Sequence, residues 1–203
     1  MKVLFIIGLL LFSTISIDVY GANPADWQLE KQTKHVSIYT RDKPNSKFLQ
    51  VKAEVTLSAN WTKVIAQFSD ENKCWDWQGR CSSVNIIKKI NESDRLIYTV
   101  IDMPWPVSNR DFLFYAALSF NSATKVTNLT LTPAEDVDYP SDLVRAKSNI
   151  HYVITPMSEE LTQLNILMHT EFGGDIPASF VNSKLVDELF IDIEALTSLV
   201  MVK

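Results

Sequence analysis

The C-terminal thirty residues place the strongest constraint on how this chain can fold. Gly173 and Gly174 end a strand-like run, and Asp175 can cap a helix. Pro177 suits the first turn, so a helix is predicted to run to about Val202. At about 100° per residue, one broad apolar face holds Ala178, Val181, Leu185, Leu189, Ile193, Leu196 and Val200. The charged residues that lie away from this face are Asp187, Glu188 and Glu194. So long an amphipathic helix needs a large apolar surface to cover it.

The rest of the chain can supply that surface as β-structure. Apolar and polar residues alternate over residues 48–57, which indicates a half-buried strand, and Ser58 can then cap a short helix. Turn-rich connections separate the strand-like runs, which favours an antiparallel meander. The other runs are residues 35–41, 84–90, 95–101, 111–120, 126–131, 143–154 and 161–172. Residues 27–30 are predicted to form a short helix or turn. The predicted fold class is therefore α+β.

Two of these strands have unusual faces. On the run that begins at Arg110, all the even positions are apolar: Phe112, Phe114, Ala116, Leu118 and Phe120. On the later strand, one side carries Val144, Ala146, Ile150, Tyr152 and Ile154. The other side carries Arg145, Lys147, Asn149 and His151. One curved sheet with an apolar concave side against the long helix follows, although periodicity alone fits a solid core as well as a cavity.

The N-terminus has the pattern of an export signal. Lys2 gives a positive start, residues 3–12 are apolar apart from Gly8, and Gly21 and Ala22 are small, as signal peptidase requires. The alternative is an uncleaved anchor, which needs roughly 20 apolar residues, more than this run contains. We therefore predict a signal peptide over residues 1–21, a single domain over residues 22–203, and a secreted or periplasmic location.

Cysteines, histidines and charge restrict the possible functions. Cys74 and Cys81 are the only cysteines, and an exported chain is expected to pair them in a disulfide; a redox or metal pair is the less favoured alternative. The three histidines lack metal-ligand spacing and are predicted to be solvated: His35, His151 and His169. A net charge of −5 without a basic cluster argues against nucleic acid. No nucleophile elbow or phosphate loop occurs, so neither cofactor nor metal is expected.

Residues 103–112 resemble the Pro-Trp-Pro-x-x-x-Arg-Asp signature of START domains, the steroidogenic-acute-regulatory-related lipid-transfer family. Other pieces follow in the family's order: residues 27–41, residues 51–54, Trp75-Asp76, and residues 173–177 with Asn182. The resemblance covers residues 25–203. It implies a helix-grip fold in which the sheet and the last helix enclose a tunnel for one lipid-like molecule, which family members usually carry without chemistry.

The resemblance and the apolar faces together predict which residues line the tunnel and bind the ligand. They are Ile97, Thr99, Trp105, Phe112, Phe114, Ala116, Leu118, Val144, Ile150, Tyr152, Leu164, Ile166, Met168, Asn182, Leu185, Leu189, Ile193 and Leu196. Sterol-carrying relatives often have an acid–base pair in the tunnel, and an ungapped count places Ile97 and Ala116 there. Both are apolar, so an acyl-chain lipid or phospholipid is favoured over a sterol.

Four of the marked residues have alternative interpretations. Arg110 and Asp111 either contact a ligand head group or, as we favour, form a structural ion pair that holds the Pro-Trp-Pro loop. Trp105 can gate the tunnel, contact a membrane interface or pack under its loop. Asn182 is expected to hydrogen-bond backbone at the strand end, the alternative being a lipid head group.

These features predict a monomeric, non-enzymatic carrier or sensor of an apolar lipid that touches membranes transiently for loading. The alternative is a superfamily enzyme, of cyclase or hydrolase type, acting on a bound apolar substrate. Such an enzyme needs a polar group on the inner face, where the sequence offers Thr99, Ser148, Tyr152 and Asn182. A third possibility, a partner-binding module with a filled core, differs by having no cavity.

Overall fold

The structure is a computed structural model that describes residues 27–69 and 73–201. The predicted signal peptide lies outside these residues. The strands are β1 (Gln28–Gln32), β2 (Val36–Arg41), β3 (Gln50–Leu57), β4 (Cys81–Lys89), β5 (Asp94–Ile101), β6 (Arg110–Phe120), β7 (Thr127–Pro133), β8 (Val144–Arg145), β9 (Lys147–Pro156) and β10 (Thr162–Glu171). The helices are α1 (Trp61–Ser69), α2 (Cys74–Trp77) and α3 (Ala178–Val200). In this part of the chain no helix is both long and apolar enough to span a membrane.

All the strands belong to one sheet. Its order is β1-β2-β3-β10-β9-β7-β6-β5-β4, and the short strand β8 pairs in parallel with β6. Two antiparallel meanders meet where β3 pairs with β10, from Leu57 opposite Thr162 to Gln50 opposite His169. The predicted meander is therefore correct within each part, and the sheet joins the first strands of the chain to its last strand.

The helix α3 packs on one half of this sheet. Together with β2, β3 and β10 it forms a solid core whose central side chains are 0% exposed: Ile38, Val55, Leu57, Leu164, Ile193 and Leu196. The alternation predicted for β3 is confirmed, because Val51, Ala53, Val55 and Leu57 are buried at every second position. The long helix thus packs against the curved sheet, as the α+β prediction requires.

Several local predictions were wrong. Residues 28–32 form strand β1, since pairing with β2 satisfies a backbone whose side chains are mostly exposed and so carry no periodic signal. The helix α3 has Pro177 rather than Asp175 at its N-cap. His169 is 7% exposed rather than solvated, and its ring lies against the Leu49 carbonyl oxygen (3.4 Å) and the Glu171 carboxylate (3.0 Å).

The turn before α3 requires glycine. Gly173 and Gly174 have φ angles of +62° and +57°, in the left-handed region that favours glycine. A Cβ atom on Gly173 would lie 2.6 Å from the carbonyl oxygen of Arg145. The Gly-Gly pair therefore allows β8 to approach the start of α3 closely.

The predicted disulfide is confirmed: Cys74 and Cys81 are bonded and close the loop between α2 and β4. Replacing both cysteines with serine is expected to lower the free energy of unfolding by about 2–3 kcal/mol, because the unfolded chain regains loop entropy. Urea unfolding of the variant and of the wild type measures this loss. Intact mass with and without reductant checks the pairing, and a thiol that reacts in native, unreduced protein would contradict it.

Candidate functional site: the cavity under the terminal helix

A cavity of about 420 Å³ lies between α3 and the part of the sheet that α3 does not pack against. Strands β4 to β7, β9 and β10 form one wall, and the C-terminal end of α1, the short helix α2 and residues 180–192 of α3 form the other. The lining positions on β6 are all even: Phe112, Phe114, Ala116 and Leu118. The sequence pattern predicted this face to be the inner one. Side chains at every second position of a strand point to the same side, so these four share one face.

Most of the residues that were predicted to line the tunnel do line the cavity. They are Ile97, Thr99, Phe112, Phe114, Ala116, Leu118, Ile150, Tyr152, Ile166, Met168, Leu185 and Leu189. Ile97 and Ala116, which the ungapped count assigns to the positions of the polar pair, are on the adjacent strands β5 and β6. In this register Ile97 is opposite Phe114 and Arg95 is opposite Ala116. The wall formed by β5 and β6 is therefore apolar at both positions. That these residues contact a ligand stays a prediction.

Three predicted lining residues are in the solid core instead. Leu164, Ile193 and Leu196 are 0% exposed and pack where α3 meets β3 and β10. The strand β10 shows the difference, since Leu164 is in the core while Ile166 and Met168, on the same face, line the cavity. Periodicity identifies the inner face of an element, but it does not show whether that face meets packed side chains or space.

The other three are displaced from the wall for separate reasons. Val144 lies on β8 beside the Gly-Gly turn, where a Cβ on Gly174 would be 3.3 Å from it. Trp105 is 91% exposed in the loop between β5 and β6. Asn182 accepts a hydrogen bond from the Leu49 backbone N–H and donates to the Lys47 carbonyl, both at 3.1 Å. Asn182 therefore holds the segment before β3, which is the backbone role favoured for it.

Arg110 and Asp111 do not form the ion pair with each other that was favoured for them. Neighbouring residues of a strand face opposite sides, so the two side chains diverge. Arg110 donates to the carbonyl oxygens of Phe172 (2.8 Å) and Gly173 (3.3 Å) and of Ser108, and burial lowers its pKa. Asp111 instead accepts two hydrogen bonds from Arg145 at 3.0 and 3.1 Å. Burial alone would raise the pKa of Asp111, but the hydrogen bonds and charge of Arg145 contribute to a net lowering.

Sequence reasoning missed a group of polar residues at the α2 end of the cavity. Arg80 donates to Glu188 on α3 (Nε to Oε2, 3.0 Å), and the Gly79 N–H donates to Asp192 at 3.0 Å. Burial raises the pKa of the Asp192 carboxyl to about 6, against the opposing hydrogen bond from Gly79. Burial and the charge of Asp192 also raise the pKa of Tyr152, so its hydroxyl stays protonated.

A signal for this group was present in the sequence. Asp192 follows Leu185 by seven residues, about two helical turns, and therefore falls within the apolar face of α3. A carboxylate in such a position needs an explanation, because burying it is costly. Glu188, in contrast, was placed away from that face, whereas in the structure it lines the cavity. Within residues 27–69 and 73–201, no three histidine, cysteine or acidic side chains are grouped so as to hold a metal ion.

Comparison with known proteins gives both a family and a fold. The family model described as START domain matches residues 14–196. An uncharacterized protein of Pseudomonas aeruginosa is 25% identical over 185 residues, covering 89% of this chain and 91% of its own length.

Two solved structures have the same fold. A STAR-related lipid transfer protein from Xanthomonas axonopodis superposes with a TM-score of 0.75 and 23% identity, over 85% of this chain and 97% of that one. Human StAR-related lipid transfer protein 5 superposes with a TM-score of 0.79 and 17% identity, over 88% of each chain. The sheet order and the terminal helix described above are therefore the helix-grip arrangement that the sequence signature implied.

Proposed function

The chain belongs to the START domain family, and from this premise we propose that it carries one acyl-chain lipid outside the cytoplasm without chemistry. The observation that supports the proposal most is the cavity of about 420 Å³ whose sheet wall is mostly apolar. Binding is driven by desolvation of the chain, at roughly 0.8 kcal/mol per methylene. A long acyl chain thus gains on the order of 10 kcal/mol before the cost of association.

The size and lining of the cavity favour a particular class of lipid. Sites for single small ligands usually measure about 300–1,000 Å³, and this cavity is at the small end of that range. One acyl chain is therefore favoured over two, which narrows the phospholipid alternative to a lysophospholipid. At the two positions where the ungapped count places the polar pair of sterol carriers, Ile97 and Ala116 offer a sterol hydroxyl no hydrogen-bond partner.

The proposed location follows from the predicted signal peptide and is compatible with the disulfide. Structural disulfides form and persist in oxidising compartments such as the periplasm and the cell exterior. The Cys74–Cys81 bond joins the start of α2 to the start of β4 beside the cavity, so reduction would loosen a part of the cavity wall.

Protein purified without detergent is expected to carry one equivalent of a single-chain lipid, because an apolar cavity in contact with membranes rarely stays empty. Native mass spectrometry gives the occupancy, and organic extraction gives the identity. A labelled lipid incubated with the protein should be recovered unchanged, whereas a converted lipid would favour the enzyme alternative. Protein that yields no lipid and binds no fluorescent acyl probe would favour the partner-binding module.

We further propose that the loop between β5 and β6 makes the transient membrane contact. Trp105 is 91% exposed in this loop, while Met103 and Pro104 of the same loop line the cavity. An exposed indole is suited to the membrane interface because it is apolar with one polar N–H. The loop can thus connect the cavity with a bilayer.

Trp105→Ala is expected to slow lipid transfer between phosphatidylcholine vesicles about fivefold, the effect of losing about 1 kcal/mol of anchoring. Its lipid occupancy should be unchanged, because Trp105 does not line the cavity. Leu29→Ala, which removes an apolar side chain 50% exposed on β1, is the control and should transfer at the wild-type rate. Equal transfer rates for the wild type and Trp105→Ala would contradict the proposal for this loop.

A further inference from the structure

The cavity opens to solvent at the hairpin between β4 and β5, and a cation lies at this opening. Glu92 and Ser93 of the hairpin are exposed and also line the cavity, so they mark its rim. Arg95 lines the cavity from the same face of β5 as Ile97 and Thr99. Its Nη1 donates a long hydrogen bond of 3.4 Å to the Ser93 carbonyl oxygen, and the residue is partly exposed. The charged end of Arg95 is therefore at the rim, which we call the hairpin mouth.

A bulge in β4 places a second cation beside Arg95. Ile86 is opposite Ile97, but the register then shifts by one residue. Lys89 is therefore opposite Arg95, in the place that Lys88 would have in a regular ladder. Residues directly opposite each other in an antiparallel pair have neighbouring side chains on one face, where like charges are unfavourable. An anion bound between the two side chains would remove this repulsion.

The acidic residues of the hairpin do not neutralise the two cations. Within the described residues, no ion pair includes Arg95 or Lys89. Asp94 precedes Arg95 directly, so it faces the other side of β5, where it accepts a hydrogen bond from Asn91 at 2.7 Å. Glu92 is at the rim, but it contributes one negative charge against two positive ones. The hairpin mouth therefore has an excess of positive charge.

The other two cations that line the cavity have acidic neighbours. Arg80 makes two hydrogen bonds to Glu188. Lys184 precedes Asp187 and Glu188 by three and four residues, so both carboxylates are its neighbours on the surface of α3. Asp192 adds another negative charge to the same part of the wall. An anionic group in the cavity is therefore favoured at the hairpin mouth and disfavoured beside α2 and α3.

We propose that Arg95, assisted by Lys89, binds the anionic head group of the lipid at the hairpin mouth, so that the ligand is a fatty acid or a single-chain phosphate lipid. This inference rests on the proposed function and names the head group of its ligand. Arginine suits both head groups because its planar guanidinium can donate two parallel hydrogen bonds to a carboxylate or to a phosphate. At the rim the head group also keeps part of its hydration, so its charge need not be buried.

The wall beside Arg95 fits a ligand in this orientation. Ala116 is opposite Arg95 on β6, and its small side chain leaves space next to the guanidinium. From Arg95 to Ile101 the strand β5 rises by six residues, about 20 Å, and both residues line the cavity. An acyl chain with its head group at Arg95 can therefore extend along β5, over Ile97 and Thr99.

The test compares three probes that share an oleoyl chain at pH 8: oleate, oleoyl lysophosphatidate and neutral monoolein. Arg95→Gln is expected to weaken the binding of both anions about three- to tenfold, since a partly exposed ion pair and its hydrogen bonds are lost. Monoolein affinity should be unchanged. Lys89→Gln should act in the same direction with a smaller effect, because Lys89 is exposed. Arg95→Lys keeps the charge and should retain most of the oleate affinity.

Lys88→Gln is the matched control. Lys88 is exposed like Lys89, but it is opposite Leu96, which packs in a separate cluster with Leu113 outside the cavity wall. This variant should keep the wild-type ratio of oleate to monoolein affinity. Raising the ionic strength from about 0.05 M to about 0.5 M should lower that ratio in the wild type and much less in Arg95→Gln, because salt screens exposed charges. Circular dichroism verifies that every variant is folded.

Two results would overturn the head-group site while leaving the proposed function in place. One is an unchanged ratio of oleate to monoolein affinity in Arg95→Gln, and the other is a ratio that falls in Lys184→Gln but not in Arg95→Gln. A loss confined to one of the two anions supports the site and identifies its head group as carboxylate or phosphate. If folded wild-type protein binds none of the three probes, the proposed function fails and the head-group site fails with it.

Discussion

The Ala116→Trp variant is expected to fold at nearly the wild-type thermal midpoint and to bind no lipid. Ala116 lies on the cavity wall between Phe114 and Leu118, so the indole enters existing space and occupies it. In a close-packed core the same insertion would cost roughly 1–3 kcal/mol or more. Native mass spectrometry gives the lipid occupancy, and a thermal scan of the same sample gives the midpoint.

The neighbouring residue provides a matched control. Ala117 is exposed on the opposite face of β6, so Ala117→Trp introduces the same side chain one position away without touching the cavity. It should bind lipid like the wild type. Strong destabilisation by Ala116→Trp would mean that there is no cavity at that point. Unchanged binding would mean that another face of β6 lines the site, and the preference for acyl chains over sterols would lose its support.

The Asp111→Ala variant is expected to lose about 3 kcal/mol of unfolding free energy. The Asp111 side chain is fully buried and accepts two hydrogen bonds from Arg145. Removing one member of a buried ion pair leaves the other charge uncompensated, which typically costs about 3–5 kcal/mol. Because the Arg145 side chain is 31% exposed, water solvates part of its charge, and a loss at the lower end of this range is expected. Urea unfolding at neutral pH measures the loss.

A control variant at a surface ion pair and the pH dependence of stability check the prediction for Asp111→Ala. Glu135 and Lys147 pair at 2.6 Å with both side chains more than half exposed, so Glu135→Ala should cost less than about 1 kcal/mol. The pKa of folded Asp111 is lowered from 3.8, so its stabilisation is present above that value and is lost as the pH falls through the folded pKa. The difference between wild type and Asp111→Ala should therefore shrink in acid. Similar losses for the two variants at neutral pH would contradict a buried role for Asp111.

The parts of the fold that the sequence predicted are those governed by local periodicity. The alternation on β3 and β6 identified their inner faces, since successive side chains of a strand always point to opposite sides. The 3.6-residue spacing identified the inner face of α3 in the same way. The disulfide was predictable because two nearby cysteines in a chain that is predicted to be exported have few alternatives.

The sequence did not predict in the same way which residues and strands contact each other. Arg110 and Asp111 are adjacent in sequence, yet one holds the turn before α3 and the other holds β8, because they project from opposite sides of β6. His169 occupies an outward position of β10 but is buried, and its ring nitrogens lie 3.4 Å from the Leu49 carbonyl oxygen and 3.0 Å from the Glu171 carboxylate. Strand β1 forms only because β2 offers it hydrogen bonds.

By itself, the sequence determined the family signature and, for each long element, its type and its inward face, because these depend on residues close together in the chain. Only the tertiary structure decided where that inward surface is filled and where it encloses space. The helix α3 rests on β2, β3 and β10, so Leu164, Ile193 and Leu196 are in solid core, while Ile166, Met168 and the β6 residues line a cavity. The physical reason is that a solid core and a cavity need the same apolar pattern, and they differ only in the distance between the two surfaces that carry it.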